Sequence, residues 1–153
     1  MPSNEEVPTD EEKVANFLVR VACKVNKLCG NRTDDGNHLH AYSGYAVDMP
    51  SLESAIHAPF QVIMGQARRP GVYDRAAALL VHLAKAHAFH DGNKRTALHL
   101  AVFYLRLNSI IVRPMPNAEA GADLVTSITA SEDDLDNLVL RASAIFRKWT
   151  VPA

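Results

Sequence analysis

Ala97-Leu98-His99-Leu100-Ala101-Val102-Phe103-Tyr104-Leu105-Arg106-Leu107 has only two residues outside the hydrophobic set, His99 and Arg106. A stretch apolar on nearly every side predicts a helix buried as the axis of its domain. Asn108 and Pro114 end it. On its N-terminal side, Ala76, Leu79, Leu80, Leu83, Ala84 and His87 recur at helical spacing from about Asp74. That pattern predicts a second helix, which leads into the first through a loop at residues 88–92.

Further out, Thr9 and Glu12 form a capping box with Pro8 outside it. Val14, Phe17, Leu18, Val21, Ala22, Val25 and Leu28 follow at helical spacing, and Gly30 is a C-terminal cap. Pro50 and Ser51 start a short helix that runs to His57 and stops at Pro59. A loop containing Gly65, Pro70 and Gly71 comes next. A short helix is expected after Asn117, and a last one from Ser131 that turns Leu135, Leu138, Val139, Ala142, Ile145, Phe146 and Trp149 inward. Residues 31–50 are rich in Gly, Asn, Asp and His, and their alternation around residues 39–47 reads as a loop or small hairpin. The fold class is therefore all-α around a buried central helix, with one small β-hairpin excursion near residues 38–48. Residues 1–8 read as a disordered lead and residues 9–150 as a single domain.

The chain has 153 residues and 48% hydrophobic content, enough for one well-covered core and too short for two domains. Its net charge of -1 gives no field that attracts nucleic acid non-specifically. No apolar run approaches the roughly 20 residues that cross a bilayer. The acidic, polar opening Ser3-Asn4-Glu5-Glu6 does not resemble a signal peptide. Cys23 and Cys29 sit in one helical stretch; at about 1.5 Å rise per residue they lie roughly 9 Å apart, too far for a disulfide. Two reduced packing cysteines suit a cytoplasmic protein without membrane or nucleic-acid partners.

Chemistry concentrates in His87-Ala88-Phe89-His90-Asp91-Gly92-Asn93-Lys94-Arg95. Gly92 permits a tight turn, and Asn93 tolerates left-handed or capping geometry. The free N–H groups that begin the following helix, with its dipole, make an anion site. Arg95 in that first turn opposes the dipole unless an anion sits between them, which marks it as a phosphate fork, with Lys94 as a second positive charge. Asp91 just ahead is a hard oxygen ligand for magnesium bridging phosphates. His87 ends the preceding helix and accepts a proton near neutral pH. Phe89, apolar between polar neighbours, pins the loop into the core.

This segment resembles the Fic/Doc signature His-x-Phe-x-Asp/Glu-Gly-Asn-x-Arg, met at His87, Phe89, Asp91, Gly92, Asn93 and Arg95. The flanking strings Ser51-Leu-Glu-Ser-Ala-Ile56, Tyr73-Asp-Arg-Ala-Ala-Ala-Leu-Leu80 and Asp91-Gly-Asn-Lys-Arg-Thr-Ala-Leu98 resemble its Doc branch in order and spacing. About residues 40–110 are covered well. The resemblance implies a Fic/Doc helical bundle that transfers a phosphorus-containing group from ATP, with Mg2+, to a hydroxyl of a target protein. His87 would be the base and Asp91 the metal ligand. The backbone of Gly92 and Asn93 would form the anion hole, and Arg95 would bind phosphate. Residues 39–47, with Tyr42, Ser43, Gly44 and Tyr45, would form a flap that aligns the target by strand addition. The flap sequence departs from the Doc-like pattern, which leaves the target's identity open.

Within the family, AMP-transferring members carry glycine where this chain has Lys94. Doc-like members carry lysine there and transfer the terminal phosphate, so kinase ranks ahead of AMP transfer. The Doc resemblance implies a translation factor such as elongation factor Tu as the target, with growth arrest as the outcome. No Ser/Thr-x-x-x-Glu-Gly/Asn string of the self-restraining kind occurs, so inhibition is expected from a Phd-like antitoxin chain. A non-catalytic binding or regulatory module is the second alternative, opposed by the intact motif. A third reading pairs His90-Asp91, which resembles the metal dipeptide of HD phosphohydrolases, with His57 and Asp123 or Asp136, but no spacing recommends it. His82, His90 and His99 read as surface or satisfied core residues, Arg68, Arg69 and Arg75 as a solvated face, and Asp133-Asp134 as helix N-terminal charge.

Overall fold

Thr9 supplies the first cap. Its hydroxyl accepts the Glu12 N–H at 3.2 Å and its carbonyl the Lys13 N–H at 3.0 Å, which starts α1 (Asp10–Gly30) where the capping box predicts. The computed structural model describes residues 9–30, 46–112 and 118–152. The face of α1 turned inward carries Ala15, Leu18, Val19, Ala22, Asn26 and Cys29. That face is rotated from the predicted stripe: Phe17 is 41% exposed and Leu28 70% exposed. The buried face includes a polar residue, Asn26, which the predicted stripe leaves out.

Asp48 caps α2 (Met49–His57), accepting the Ser51 N–H at 3.2 Å and the Ser51 hydroxyl at 2.8 Å, with Pro50 in the first turn. A single 3-10 turn (Ala58–Phe60) follows. The chain then forms a hairpin of β1 (Val62–Ile63) and β2 (Gln66–Ala67), where a plain loop is expected from the sequence. Met64 and Gly65 join the strands with φ of 53° and 77°, the left-handed pair a two-residue hairpin turn demands. Methionine in such a turn sends no sequence signal, which is why the hairpin is silent.

Two helices organise the interior, α3 (Val72–Ala86) and α4 (Asn93–Leu107). The helix enclosed on all sides is α3, not the 97–107 stretch. Residues 76–81 of α3 are buried without a break, along with Leu83 and Ala84, and α2, α4, α5 and α6 all pack on it. Its alanines let neighbours approach closely around the whole circumference. In α4, Thr96, Ala97, Leu100, Ala101, Tyr104 and Leu105 face inward, while Leu107 remains exposed. The buried central helix is present, one helix earlier than hydrophobicity alone indicates.

Asn108 ends α4 as expected. β3 (Ile110–Val112) follows and pairs antiparallel with the chain end, β4 (Thr150–Pro152). α5 (Ala118–Ala130) lies between, longer than the short helix expected. α6 (Leu135–Trp149) begins after Asp134, whose carboxylate accepts the Asn137 N–H at 2.8 Å. The predicted start at Ser131 is thus too early, and Leu135 stays exposed while Leu138, Val139, Ala142 and Phe146 are buried. Arg69 and Arg68 bond the Asp136 carboxylate at 2.7 and 3.4 Å, so these arginines tie the loop before α3 to α6. Among the described residues the architecture is all-α, with six helices and two small antiparallel ribbons. None of these helices is long and apolar enough to cross a membrane. The lead at residues 1–8 lies outside the described residues. So does the hairpin expected near residues 38–48, apart from its end at residues 46–48.

Candidate active site

The connection from α3 to α4 is built around two left-handed residues. His87 closes α3 with φ 48° and ψ 42°, a conformation that costs a non-glycine residue about 1–2 kcal/mol. It turns the chain out of the helix and leaves the imidazole exposed. Gly92 precedes α4 with φ 75°, the turn its lack of Cβ permits.

Between them the loop is held at both edges. On one edge, Asp48 N–H donates to the Ala88 carbonyl at 2.7 Å and His90 N–H to the Ala46 carbonyl at 2.9 Å. This makes an antiparallel bridge of Val47 with Phe89. On the other edge, the Asn93 side chain takes both backbone groups of Phe89. The Phe89 ring is buried, as predicted. The left-handed residue is Gly92, where a tight turn is expected. Asn93 is the first residue of α4, and its side chain is committed to the loop, so only its backbone N–H faces outward as a donor.

No side chain caps α4 and no acid occupies its first turn, whereas Thr9, Asp48 and Asp134 cap α1, α2 and α6. Its first intrahelical bond runs from Thr96 N–H to the Gly92 carbonyl at 3.0 Å. The N–H groups of Asn93, Lys94 and Arg95 have no partner among the described residues. The Gly92 N–H is engaged by Asp91 Oδ1 at 2.7 Å. The open donors therefore lie one residue further along than the expected Gly92–Asn93 hole. Lys94 and Arg95 are both exposed at this end. Arg95 makes one long contact, from Nη1 to the Cys29 carbonyl at 3.4 Å. Its fork forms part of the wall of a cavity of about 380 Å³ between α1 and α4.

One residue here escapes the sequence pattern. Asn26 of α1 is 1% exposed, and its Nδ2 donates to the Asp91 carbonyl at 2.9 Å and to Thr96 Oγ1 at 3.2 Å. An asparagine within an amphipathic repeat reads as solvent-facing, so nothing in the sequence marks it.

The fold thus brings His87, Asp91, Gly92, Asn93, Lys94 and Arg95 to one connection. Tyr42, Ser43, Gly44 and Tyr45 lie outside the described residues. Among the described residues, no three or more His, Cys, Asp or Glu side chains gather as metal ligands, so the arrangement with His57 and Asp123 or Asp136 is not formed. His82 belongs to another groove, lined also by Ser51, Ser54 and Lys85. Burial there pushes its pKa below the usual histidine value, helped by Arg69 and Arg68 and opposed by Asp136.

Comparison with known proteins agrees with this segment's pattern. The profile described as Fic/DOC family matches residues 13–105, more than half of the chain. A protein named Toxin Doc from Mycolicibacterium smegmatis (strain ATCC 700084 / mc(2)155) is 34% identical over 91 residues, covering 60% of this chain and 70% of that one. A protein named Protein kinase doc from Escherichia phage P1 is 32% identical over 83 residues, covering 54% of this chain and 64% of the phage protein. The match spans the α3–α4 connection and the helices that hold it, and the chain belongs to the Fic/DOC family.

Proposed function

We propose that this protein is a Doc-type toxin that transfers the terminal phosphate of ATP to a hydroxyl of a target protein. One observation carries the reading: an uncapped helix start, with three open N–H groups and Arg95, directly follows a loop fixed on both edges and headed by an exposed His87. Donors held in place before the substrate arrives are what phosphoryl transfer requires. The relatives named Toxin Doc and Protein kinase doc support the toxin and kinase parts of the reading.

In the proposed reaction, His87 takes the proton of the target hydroxyl as its oxygen bonds to the terminal phosphorus. The bond from that phosphorus to the bridging oxygen breaks and ADP leaves. The N–H groups of Asn93, Lys94 and Arg95 and the Arg95 guanidinium hold the charged phosphate oxygens throughout. Asp91 suits a magnesium ligand. It is exposed, its Oδ1 is oriented by Gly92 N–H, and Oδ2 has no partner among the described residues. One carboxylate completed by phosphate oxygens and water is the usual magnesium set at nucleotide sites. When bound, the ion neutralises phosphate charge. The remaining parts of the proposal are a flap at residues 39–47 that aligns the target, a translation factor as that target, a Phd-like antitoxin chain, a cytoplasmic setting and a single domain over residues 9–150.

Purified protein is incubated with a cell extract and ATP labelled at either the α- or the γ-phosphate. Label from γ-labelled ATP on a discrete band, lost in His87→Ala, is the expected result. Label from α-labelled ATP replaces the kinase with AMP transfer. No label, together with no nucleotide binding by calorimetry, replaces both with a binding module. Expression of the wild type is expected to arrest growth, and His87→Ala or Arg95→Ala to relieve the arrest.

A further inference from the structure

We infer that Asn26, on α1 and outside the nine-residue segment, is a positioning residue of this site that aims the Asp91 carboxylate and fixes the first turn of α4. The inference rests on the functional reading above.

Asn26 occupies an inward position of α1 that the surrounding repeat of Ala15, Leu18, Val19, Ala22 and Cys29 reserves for packing. A leucine there would fill the space. Among the described residues, only three polar side chains are buried, and Asn26 and Thr96 are two of them. They meet each other at 3.2 Å. A polar pair replaced by apolar groups of the same shape is often neutral for stability. The pair's distinctive contribution is therefore location.

That location follows from the planarity of the peptide bond. The Asp91 carbonyl and the Gly92 N–H belong to one rigid plane and point in opposite directions. Asn26 Nδ2 holds the carbonyl at 2.9 Å. The N–H on the far side of the same plane donates to Asp91 Oδ1 at 2.7 Å. Fixing the carbonyl thus fixes the N–H, and the N–H orients the carboxylate whose other oxygen is open. Meanwhile the second proton of Nδ2 goes to Thr96, whose own N–H makes the first helical bond of α4, to the Gly92 carbonyl. One amide therefore ties α1 to both ends of the turn that presents the Asn93, Lys94 and Arg95 donors. A turn further along α1, the Cys29 carbonyl receives Arg95. The N-terminal helix is in this way a platform for the site as well as part of the core.

Two variants test this against a purely structural role. Asn26→Leu keeps the branched heavy-atom skeleton and removes the donor; Thr96→Val removes only the Thr96 arm and leaves the Asp91 bond in place. Removing a group that orients a metal ligand alters metal affinity by about 10–100-fold. The expected result for Asn26→Leu is a half-saturating magnesium concentration for γ-phosphate transfer raised by about tenfold or more. The KM for the target should be unchanged, and Thr96→Val should shift far less. Hydrogen exchange of the peptide spanning residues 87–96, measured without nucleotide or metal, is expected to quicken in Asn26→Leu and to quicken less in Thr96→Val, which loses only one of the two bonds. If Asn26→Leu does not fold, Asn26→Ala, which lacks the donor and adds neither bulk nor charge, takes its place. Transfer by the wild type, with unchanged magnesium dependence and exchange in a folded variant, overturns the inference and leaves the functional reading standing. Absence of transfer by the wild type overturns the functional reading and this inference with it, and the exchange experiment then decides only whether Asn26 orders the loop.

Discussion

The side-chain amide of Asn93 closes on both backbone groups of Phe89, accepting its N–H at 3.0 Å and donating to its carbonyl at 2.8 Å. The neighbouring groups, the Ala88 carbonyl and His90 N–H, face the other way, toward Asp48 and Ala46. Four successive backbone groups of a loop thus find partners without belonging to a sheet or helix, which is what burying Phe89 demands.

Asn93→Ala removes both bonds of the clamp. At about 0.5–1.5 kcal/mol each, stability should fall by about 1–3 kcal/mol in urea unfolding. Phosphate transfer should fall more than tenfold, because the loop between His87 and α4 loses one of its two edges. Activity retained at near wild-type level in a destabilised Asn93→Ala would show that the clamp serves folding alone.

The left-handed His87 makes the opposite trade. Glycine at this position relieves strain of about 1–2 kcal/mol and costs about 0.5–1 kcal/mol of chain entropy, so His87→Gly should be more stable by up to about 1.5 kcal/mol. His87→Ala keeps the strain and should leave stability near that of the wild type. Both should abolish transfer. A thermal melt that ranks His87→Gly below His87→Ala would remove the argument that histidine is kept here at the expense of stability.

Much of this site can be read from the sequence, and what cannot has a physical reason. Local signals were sufficient for the caps at Thr9 and Asn108, for the helices on either side of residues 88–92, and for Gly92 as the tight turn. Each depends on residues within a few positions of one another. What depends on distant partners was hidden. Asn26 is 65 residues from Asp91, so its inward position cannot be deduced from its own helix. The pairing of β3 with β4 joins segments on either side of α5 and α6. The rank order of burial between α3 and α4 depends on how many neighbours each attracts. Alanine, weakly hydrophobic on its own, decides that in favour of α3.

Gly92 and Gly65 allow a matched comparison. Their φ angles are 75° and 77°, and a Cβ on Gly65 would meet nothing within 4 Å. Alanine at either position should cost about 1–2 kcal/mol from left-handed strain. Only Gly92→Ala should reduce transfer, since Gly65 lies in the β1–β2 turn, away from the α3–α4 connection. Equal losses of activity in the two variants would attribute the effect to stability rather than to the geometry at the start of α4.

His82 should make stability depend on pH. Burial holds its folded pKa below the unfolded value of about 6.5, and the Arg69 and Arg68 charges act in the same direction. The unfolded chain therefore binds the proton more readily than the folded one. The stabilising contribution is complete above the unfolded pKa and is lost as pH falls through the folded pKa. Melting temperatures recorded from pH 7.5 down to 5 should decline less in His82→Gln than in the wild type. Parallel declines would assign the acid sensitivity to other groups.

Lys94, the second residue of α4, is exposed at the same helix end as Arg95. Its side chain extends from the turn that presents the donors; in the proposed reaction it would occupy space beside the nucleotide and add positive charge near the phosphates. Removing it should widen the choice of which phosphorus sits against the donors. Lys94→Ala is the cleaner probe, since alanine retains helix propensity that glycine would forfeit at about 1 kcal/mol. In paired reactions with α- and γ-labelled ATP, the ratio of α to γ label on protein should rise in Lys94→Ala and rise further in Lys94→Gly. If both variants lose activity while that ratio stays at the wild-type value, Lys94 contributes charge alone, and the choice of phosphate lies with the walls of the cavity beside Arg95.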